Sequence, residues 1–448
     1  MKNIIRALKT VNYRLWLAIL LMMLLPTVYQ TVRIYFLGDM PGDWGYNIAS
    51  QLSWVNLFYE VIQEALILPL FFLLGKSLLD RKELENKVKT GLIITGGIYL
   101  FVSLLIVVFA RQLVLFMAQD ISLIDQTVNY IRLETIAALF STLSRFIMLV
   151  LITLKKDKYM YITLGVQMVL SIIIDTFLIS SLNFSLNMGV NGMAVSNIIV
   201  NIAILLIAFT LLKREKIMIF TKSKLSFTWI REWFHVGKFS GLESLLRNFA
   251  FMIMIIRMVN VVSEQGNYWI TNSFIWQWLL LPALALADLV KKEIGEDPNN
   301  IRSKTFGYLM LASVFVIFWL ISIPLWKPFL QFVMNVQEYN VVFEIVLIQT
   351  IFYLTFIFNS CIFDSTFYGL GKTNYMLIQS ICIDGFYYGI AFILYITGVF
   401  VPTLIGISLL FGIGMVMDLI PTMILYIKLL DKNMIKIDFV LDNSDSKE

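Results

Sequence analysis

The sequence predicts an all-α integral membrane protein, with twelve transmembrane helices in two six-helix bundles related by a pseudo-twofold axis along the membrane normal. Three observations carry that expectation. The 448 residues are 59% hydrophobic and 15% charged, with a mean hydropathy of +0.81, a composition that excludes an ordinary soluble domain. Apolar runs long enough for a helix to cross ~30 Å of hydrocarbon recur at twelve places. Lys and Arg gather in alternate connections, as they do on the cytoplasmic side of a membrane.

The expected spans are 14–37, 48–74, 90–117, 126–154, 159–183 and 189–213 in the first half of the chain, and 235–262, 267–290, 304–326, 342–369, 374–398 and 402–428 in the second. The strands of a membrane barrel would alternate polar and apolar residues, and these runs do not. With the N-terminus inside, the cytoplasmic segments hold 28 of the 35 basic residues, and the external loops keep little beyond Arg111 and Lys327. Both termini are therefore expected in the cytoplasm, with the plasma membrane as the location. The opening "MKNIIRALKTVNYRLW" is basic but lacks a small-residue cleavage site, so it reads as a retained first helix. Within that helix Pro26 removes one backbone hydrogen bond and should kink it.

Composition also removes whole classes of chemistry. His235 is the sole histidine, too few for a histidine zinc site, and Cys361 and Cys382 sit in apolar runs as small core residues. No Gly-rich loop with Lys is present to cradle a phosphate, so nucleotide hydrolysis is not expected. The external loops are short and lack the acids and metal ligands of a membrane-bound glycosyltransferase, so no enzymatic activity is expected. The net charge of +5 calls for no nucleic-acid partner, because the basic residues are placed in cytoplasmic loops.

Organisation follows from the longest connection. Residues 1–213 form an expected N-terminal lobe, 214–234 a cytoplasmic linker, 235–430 a C-terminal lobe and 431–448 a polar cytoplasmic tail. The linker is basic and aromatic, and its "FTWIREWF" is expected to lie at the membrane interface. The halves are weakly alike. "KDKYMYITLGVQ" matches "GKTNYMLIQSIC" at an offset of 216, and "GVNGMAVS" matches "TLIGISLL" at an offset of 214. Transporters built from parallel repeats bind substrate near the midplane and alternate by rocking their halves.

The chain resembles the MATE (multidrug and toxic compound extrusion) transporters. The resemblance rests on "LLPTVYQ" in the first helix, "SIIID" followed by "MGVNGMAVSNIIVN" across helices 5 and 6, "VGKFSGLESLL" opening helix 7, and "FYGLGKTNY" after helix 10. It covers nearly the whole chain in length, span number and half boundary, although the family's motifs are loose. It implies a secondary antiporter, with no bound cofactor, that exports amphipathic or cationic small molecules through the lipid bilayer as a monomer, with H+ or Na+ as coupling ion. Related flippases of lipid-linked oligosaccharides share the architecture and form the alternative; they would need a basic cavity for pyrophosphate, for which Arg33, Arg145 and Arg247 are the candidates.

Charges within the spans are the candidate site residues, because each costs about 2.5–3.5 kcal/mol to insert. Asp175 in "VLSIIIDTFLIS" matches the acid of the family's N-lobe ion site, and Ser171, four residues earlier on the same helical face, replaces the usual Asn. An Asp merely paired with a neighbouring helix's Arg is the other reading. The family's acid on helix 1 aligns with Arg33, which can neither bind a cation nor release a proton at working pH. Arg33 has two readings, a counter-ion for Asp175 or a side chain snorkelling to the external surface. Glu60 and Glu64 lie one turn apart on helix 2 and repel when both are ionised, which suits proton exchange or cation recognition. Equally, one is bridged to Arg33 or Arg145 while the other faces water. Glu134 is placed nearer the external boundary, and Asp288 near a cytoplasmic end.

In the second half Glu243 and Arg247 are four apart and suffice to satisfy each other, while Arg247 stands where one family subgroup has an acid. Asp364, Asp384 and Asp418 fall in apolar runs on helices 10, 11 and 12, the last two nearest the middle. "NYWITNSFIWQW" on helix 8, with Asn272 and Trp276, is the candidate cavity lining.

Overall fold

The protein, seen as a computed structural model, is described over residues 2–40, 44–67, 69–78, 80–156, 158–217, 219 and 225–437. Those residues form helices and connections, with no strand among them. A short amphipathic helix, Lys2–Lys9, precedes α1 (Tyr13–Gly38). Then come α3 (Arg81–Phe116), α4 (Ile121–Thr153), α5 (Lys158–Leu178), α6 (Gly189–Arg214), α7 (Ile230–Val261), α9 (Asn300–Val333), α10 (Tyr339–Gly369), α11 (Thr373–Ile396) and α12 (Leu404–Lys432), each long and apolar enough to cross a membrane.

The two other expected spans are broken. The span placed at 267–290 is α8, a pair, Gln265–Leu279 and Leu281–Glu296, bent by 59°. The break follows a π-helical turn at Ile275–Leu279 and precedes Pro282, which has no N–H to continue the ladder. The span placed at 48–74 is α2, a succession of Trp44–Ser50, Leu52–Ile62, a π-helical turn Gln63–Ile67 and Leu70–Gly75.

Local chemistry fixes several ends. The Asp80 carboxylate accepts from the N–H groups of Lys82 (2.9 Å) and Glu83 (3.1 Å) and caps α3, and the Thr403 hydroxyl caps α12 by accepting from Gly406 N–H (3.0 Å). After α10 the chain turns through Gly371 at φ +65°, and Lys372 N–H donates back to Phe367 C=O (2.8 Å), a left-handed stop that glycine adopts without a Cβ clash. The segments alike in the two halves open equivalent helices, Lys158 and Thr373 starting α5 and α11, and Gly189 and Leu404 starting α6 and α12.

Contacts group the chain into two compact units. One consists of Met1–Thr27, Ile270–Phe332 and Glu338–Glu448; the other of Val28–Trp269 and Val333–Gln337. This grouping differs from the expected mid-chain line between residues 213 and 235: α7 belongs to the unit of α2 to α6, and α1 changes units after Thr27, one residue beyond Pro26. The described part of the expected tail reaches residue 437.

The linker segment corrects an expectation. Trp229 and Trp233 stack at 4.8 Å and are buried in a core cluster with Leu70, Leu73, Phe146, Val150 and Leu212. Trp229 Nε1 donates to Thr90 Oγ1 (3.0 Å) and Trp233 Nε1 to the Leu66 carbonyl (2.7 Å). Burial of two indoles with satisfied N–H groups outweighs an interfacial position. Of the four aromatic residues in "FTWIREWF", Phe227 and Phe234 are exposed in the manner expected of an interface.

Candidate functional site

Within the unit of α2 to α7, small residues bring α7 against α2. A Cβ at Gly237 would overlap the Ala65 carbonyl, one at Gly241 would crowd the Ala65 Cβ, and Ser240 Oγ donates to Glu64 C=O (2.9 Å). Such close approach is the usual product of small side chains at a membrane helix interface. It sets Glu243 and Arg247 of α7 beside Glu60 and Glu64 of α2.

The result is one guanidinium facing three carboxylates. Arg247 Nη1 meets Glu60 Oε1, Nη2 meets Glu64 Oε1 and Nε meets Glu243 Oε1, each at 3.1 Å. Nη1 also donates to Asn248 Oδ1 (3.3 Å). Glu243 is buried at 5% side-chain exposure, but Glu60 and Arg247 are at 39% and Glu64 at 22%, so part of the cluster is not covered by the protein's own atoms. Among the described residues no ion pair joins Arg33 or Arg145 to Glu60 or Glu64, the bridge expected in one of the two readings of those acids. Arg145 Nη1 instead donates to Gln63 Oε1 (2.9 Å), and the close seat of α7 makes Arg247 the nearer cation.

A second cluster in the same unit lies on α1, α4, α5 and α6. Arg33 Nε donates to Asp175 Oδ2 (3.0 Å) and Nη2 to Oδ1 (3.1 Å), with side-chain exposures of 4% and 1%. Arg33 is therefore a counter-ion of Asp175 and not a snorkelling side chain. Its guanidinium lies 6.0 Å from the Tyr29 ring centre. Glu134 is buried at 4% exposure and accepts twice from Asn197 Nδ2, at 2.8 and 3.0 Å, within electrostatic reach of both Arg33 and Asp175. Ser171 is buried one turn before Asp175, and no hydrogen bond joins the two among the described residues.

The other unit collects acids on α10, α11 and α12. Asn359 Nδ2 donates to Asp418 Oδ2 (2.9 Å), and Gln379 Nε2 donates to Asp364 Oδ1 (2.8 Å) and to the Thr422 hydroxyl. Thr422 in turn donates to the Asp418 carbonyl (2.8 Å). Asp364 and Asp384 both act electrostatically on Asp418, and both lie in π-helical turns, Asn359–Asp364 and Ile381–Tyr387. Asp288 is paired with Lys291 at 3.0 Å. On α8, Trp276 Nε1 donates to Tyr353 Oη (2.9 Å), its ring packs edge-on against Tyr353 and Phe356, and the buried Asn272 Oδ1 has no hydrogen-bond partner among the described residues.

The structure thus brings together Glu60, Glu64, Glu243 and Arg247 in one place and Arg33 and Asp175 in another, with Asp364, Asp384 and Asp418 in the other unit. Sequence reasoning gave Asn197, Asn359, Gln379 and Tyr353 no role. Asn197 carried a signal, a polar amide inside the apolar run "VSNIIVN".

Residues 79–177 match the MatE family model, a stretch that runs from before α3 to the end of α5 and contains Glu134 and Asp175. No curated protein sequence matches the chain. Among solved structures, an inward-facing multidrug resistance MATE family transporter of the MOP superfamily is 17% identical, over 93% of this chain and 98% of that one, at a TM-score of 0.74. An outward-facing transporter of the same description gives 17%, 94%, 95% and 0.63. A MOP superfamily transporter from Pyrococcus furiosus, reported with a binding pocket of reversed polarity that suggests a different function, gives 16%, 96%, 98% and 0.66. The sequence match over α3 to α5 and the structural match over nearly the full chain carry one family name, and the protein has the MATE transporter fold.

Proposed function

We propose that the protein is a secondary active exporter that moves amphipathic or cationic small molecules across the plasma membrane by alternating access, driven by a proton or sodium gradient. The observation that supports this most directly is the Arg247 cluster. Counting these four side chains alone, three carboxylates face one guanidinium, and with all of them ionised negative charge exceeds positive by two. Partial exposure of Glu60 and Glu64 lets that excess meet a cation from outside. Transporters of this fold in inward- and outward-facing forms support the alternating cycle. Cytoplasmic termini follow from the distribution of basic residues.

A flippase of lipid-linked oligosaccharides would need cations to receive pyrophosphate. Arg33 and Arg247 are both engaged by carboxylates, which weighs against that reading. The reversed pocket polarity of the Pyrococcus furiosus relative makes an organic anion the necessary control. The test is purified protein in liposomes, with an organic cation and an organic anion offered separately under imposed proton and sodium gradients. Cation movement under one gradient, reduced by Glu60→Gln with Glu64→Gln, is the expected result. Movement of the anion alone, or of neither compound, refutes it.

A further inference from the structure

We propose that Glu134 is the proton-carrying acid of the buried α1, α4, α5 and α6 network, a reading that rests on the ion-coupled transport proposed above. Asp175 is poorly placed for that task. Both of its oxygens are held by Arg33, a group that does not release its own proton, and the pair is almost fully buried. Glu134 is as deeply buried, yet the groups that bond it are neutral: the Asn197 amide meets both its oxygens, and the Tyr130 hydroxyl stands beside it. No Lys or Arg bonds to it among the described residues.

The groups around Glu134 can be named helix by helix. Arg33 comes from α1, Asp175 from α5, Asn197 from α6, and Tyr130 from one turn earlier on α4 itself. Tyr59 of α2, hydrogen-bonded to Ser103 of α3 (2.8 Å), stands beside the adjacent Thr135. Among these only Arg33 is a cation, against two carboxylates. The network is therefore neutral when one carboxyl holds a proton. Since the guanidinium occupies both oxygens of Asp175, that proton belongs to Glu134. Rotation of the Asn197 amide would present its oxygen to a protonated Glu134 and its N–H to an ionised one, so the same pair serves both states. The proton comes from bulk water and returns to it, and no other group changes its protonation. No group of three or more His, Cys, Asp or Glu among the described residues could hold a metal ion.

Two measurements test this. Infrared difference spectra of purified protein between low and high pH should show a protonated-carboxyl band in the wild type that is lost in Glu134→Gln and displaced in pH by Glu134→Asp. In liposomes, Glu134→Gln should abolish cation accumulation driven by a pH gradient while leaving exchange of labelled for unlabelled cation, and Glu134→Asp should restore accumulation with a shifted pH profile. An unchanged carboxyl band in Glu134→Gln overturns the proposal, as does accumulation coupled to sodium alone. If the wild type moves no organic cation but the band disappears in Glu134→Gln, the transport reading fails and the assignment of the proton to Glu134 stands. Should Glu134→Gln not fold, an unshifted titration in Glu134→Asp overturns the assignment on its own.

Discussion

Breaking the Arg33–Asp175 pair should cost unequal amounts from its two sides. The pair is bidentate at 2.9–3.1 Å with side chains at 4% and 1% exposure, so removing either partner leaves a buried charge. That class of change costs about 3–5 kcal/mol, far above the ~0.6 kcal/mol average of interhelical polar contacts in a membrane protein. Arg33→Gln takes the only cation from a network with two carboxylates and should fall at the upper end of the range. Asp175→Asn leaves Arg33 within reach of Glu134, which can supply the missing negative charge, and should fall at or below the lower end. The double variant carries two neutral amides and should recover to within about 1–2 kcal/mol of the wild type, a coupling of at least ~2 kcal/mol. Equilibrium unfolding in lipid–detergent mixtures, followed by tryptophan fluorescence, measures all four corners of the cycle. Single effects that sum to the double within ~0.5 kcal/mol would refute the reasoning, as would a costlier Asp175→Asn.

Other perturbations separate the remaining claims. Arg247→Gln removes the positive charge from among three carboxylates; one charge at ~4 Å is worth about 1 kcal/mol in water and more at a protein surface, so binding of a monovalent organic cation should tighten at least about fivefold. A fluorescence titration with equal or weaker binding contradicts this. Trp233→Ala should cost about 3–5 kcal/mol in equilibrium unfolding, because the indole is buried and its N–H is bonded to Leu66. A cost below ~1 kcal/mol would return that segment to the membrane interface. Gly237→Val should destabilise the protein by about 1–3 kcal/mol or more, since the added carbon overlaps the Ala65 carbonyl. Thermal unfolding unchanged from wild type would show that α7 is not seated on α2 as closely as that contact requires.

The spans were legible because apolar length and basic loops report directly on the bilayer. What the sequence hid was which charges meet. The i, i+4 spacing exposed Glu243 with Arg247 and Glu60 with Glu64, since both are local on one helix. The joining of those pairs is not local: Arg247 and Glu64 are 183 residues apart, and their contact follows from α7 grouping with the first half of the chain. A signal was present in "VGKFSGLESLL", where Gly237, Ser240, Gly241 and Ser244 recur at helical spacing and mark a face that admits another helix closely. The π-helical turns at Gln63–Ile67 and Ile381–Tyr387 were not legible, because an extra residue in a helical turn leaves no trace in apolar periodicity. The two tryptophans of the linker misled for a related reason: an indole beside basic residues has the composition of an interface whether it is buried or not.

Charge balance links the two clusters of the α2 to α7 unit. Each has an arginine where the resemblance places an acid, that of the family for Arg33 and of one subgroup for Arg247, and each draws carboxylates from neighbouring helices. On the proposed reading, an arginine in such a position does not simply abolish a site, because it fixes one carboxylate and leaves the next acid as the exchangeable group. On the proposal above, that next acid in the buried cluster is Glu134, held by the neutral amide of Asn197. In the half-exposed cluster Glu60, Glu64 and Glu243 surround Arg247, and on the proposed reading an organic cation competes there with the guanidinium. On the proposed reading, burial divides the roles. A deeply enclosed surplus of one carboxylate is suited to a proton, the smallest cation and one that brings no hydration shell into the protein. A surplus at the surface is suited to a larger organic cation that keeps part of its contact with water.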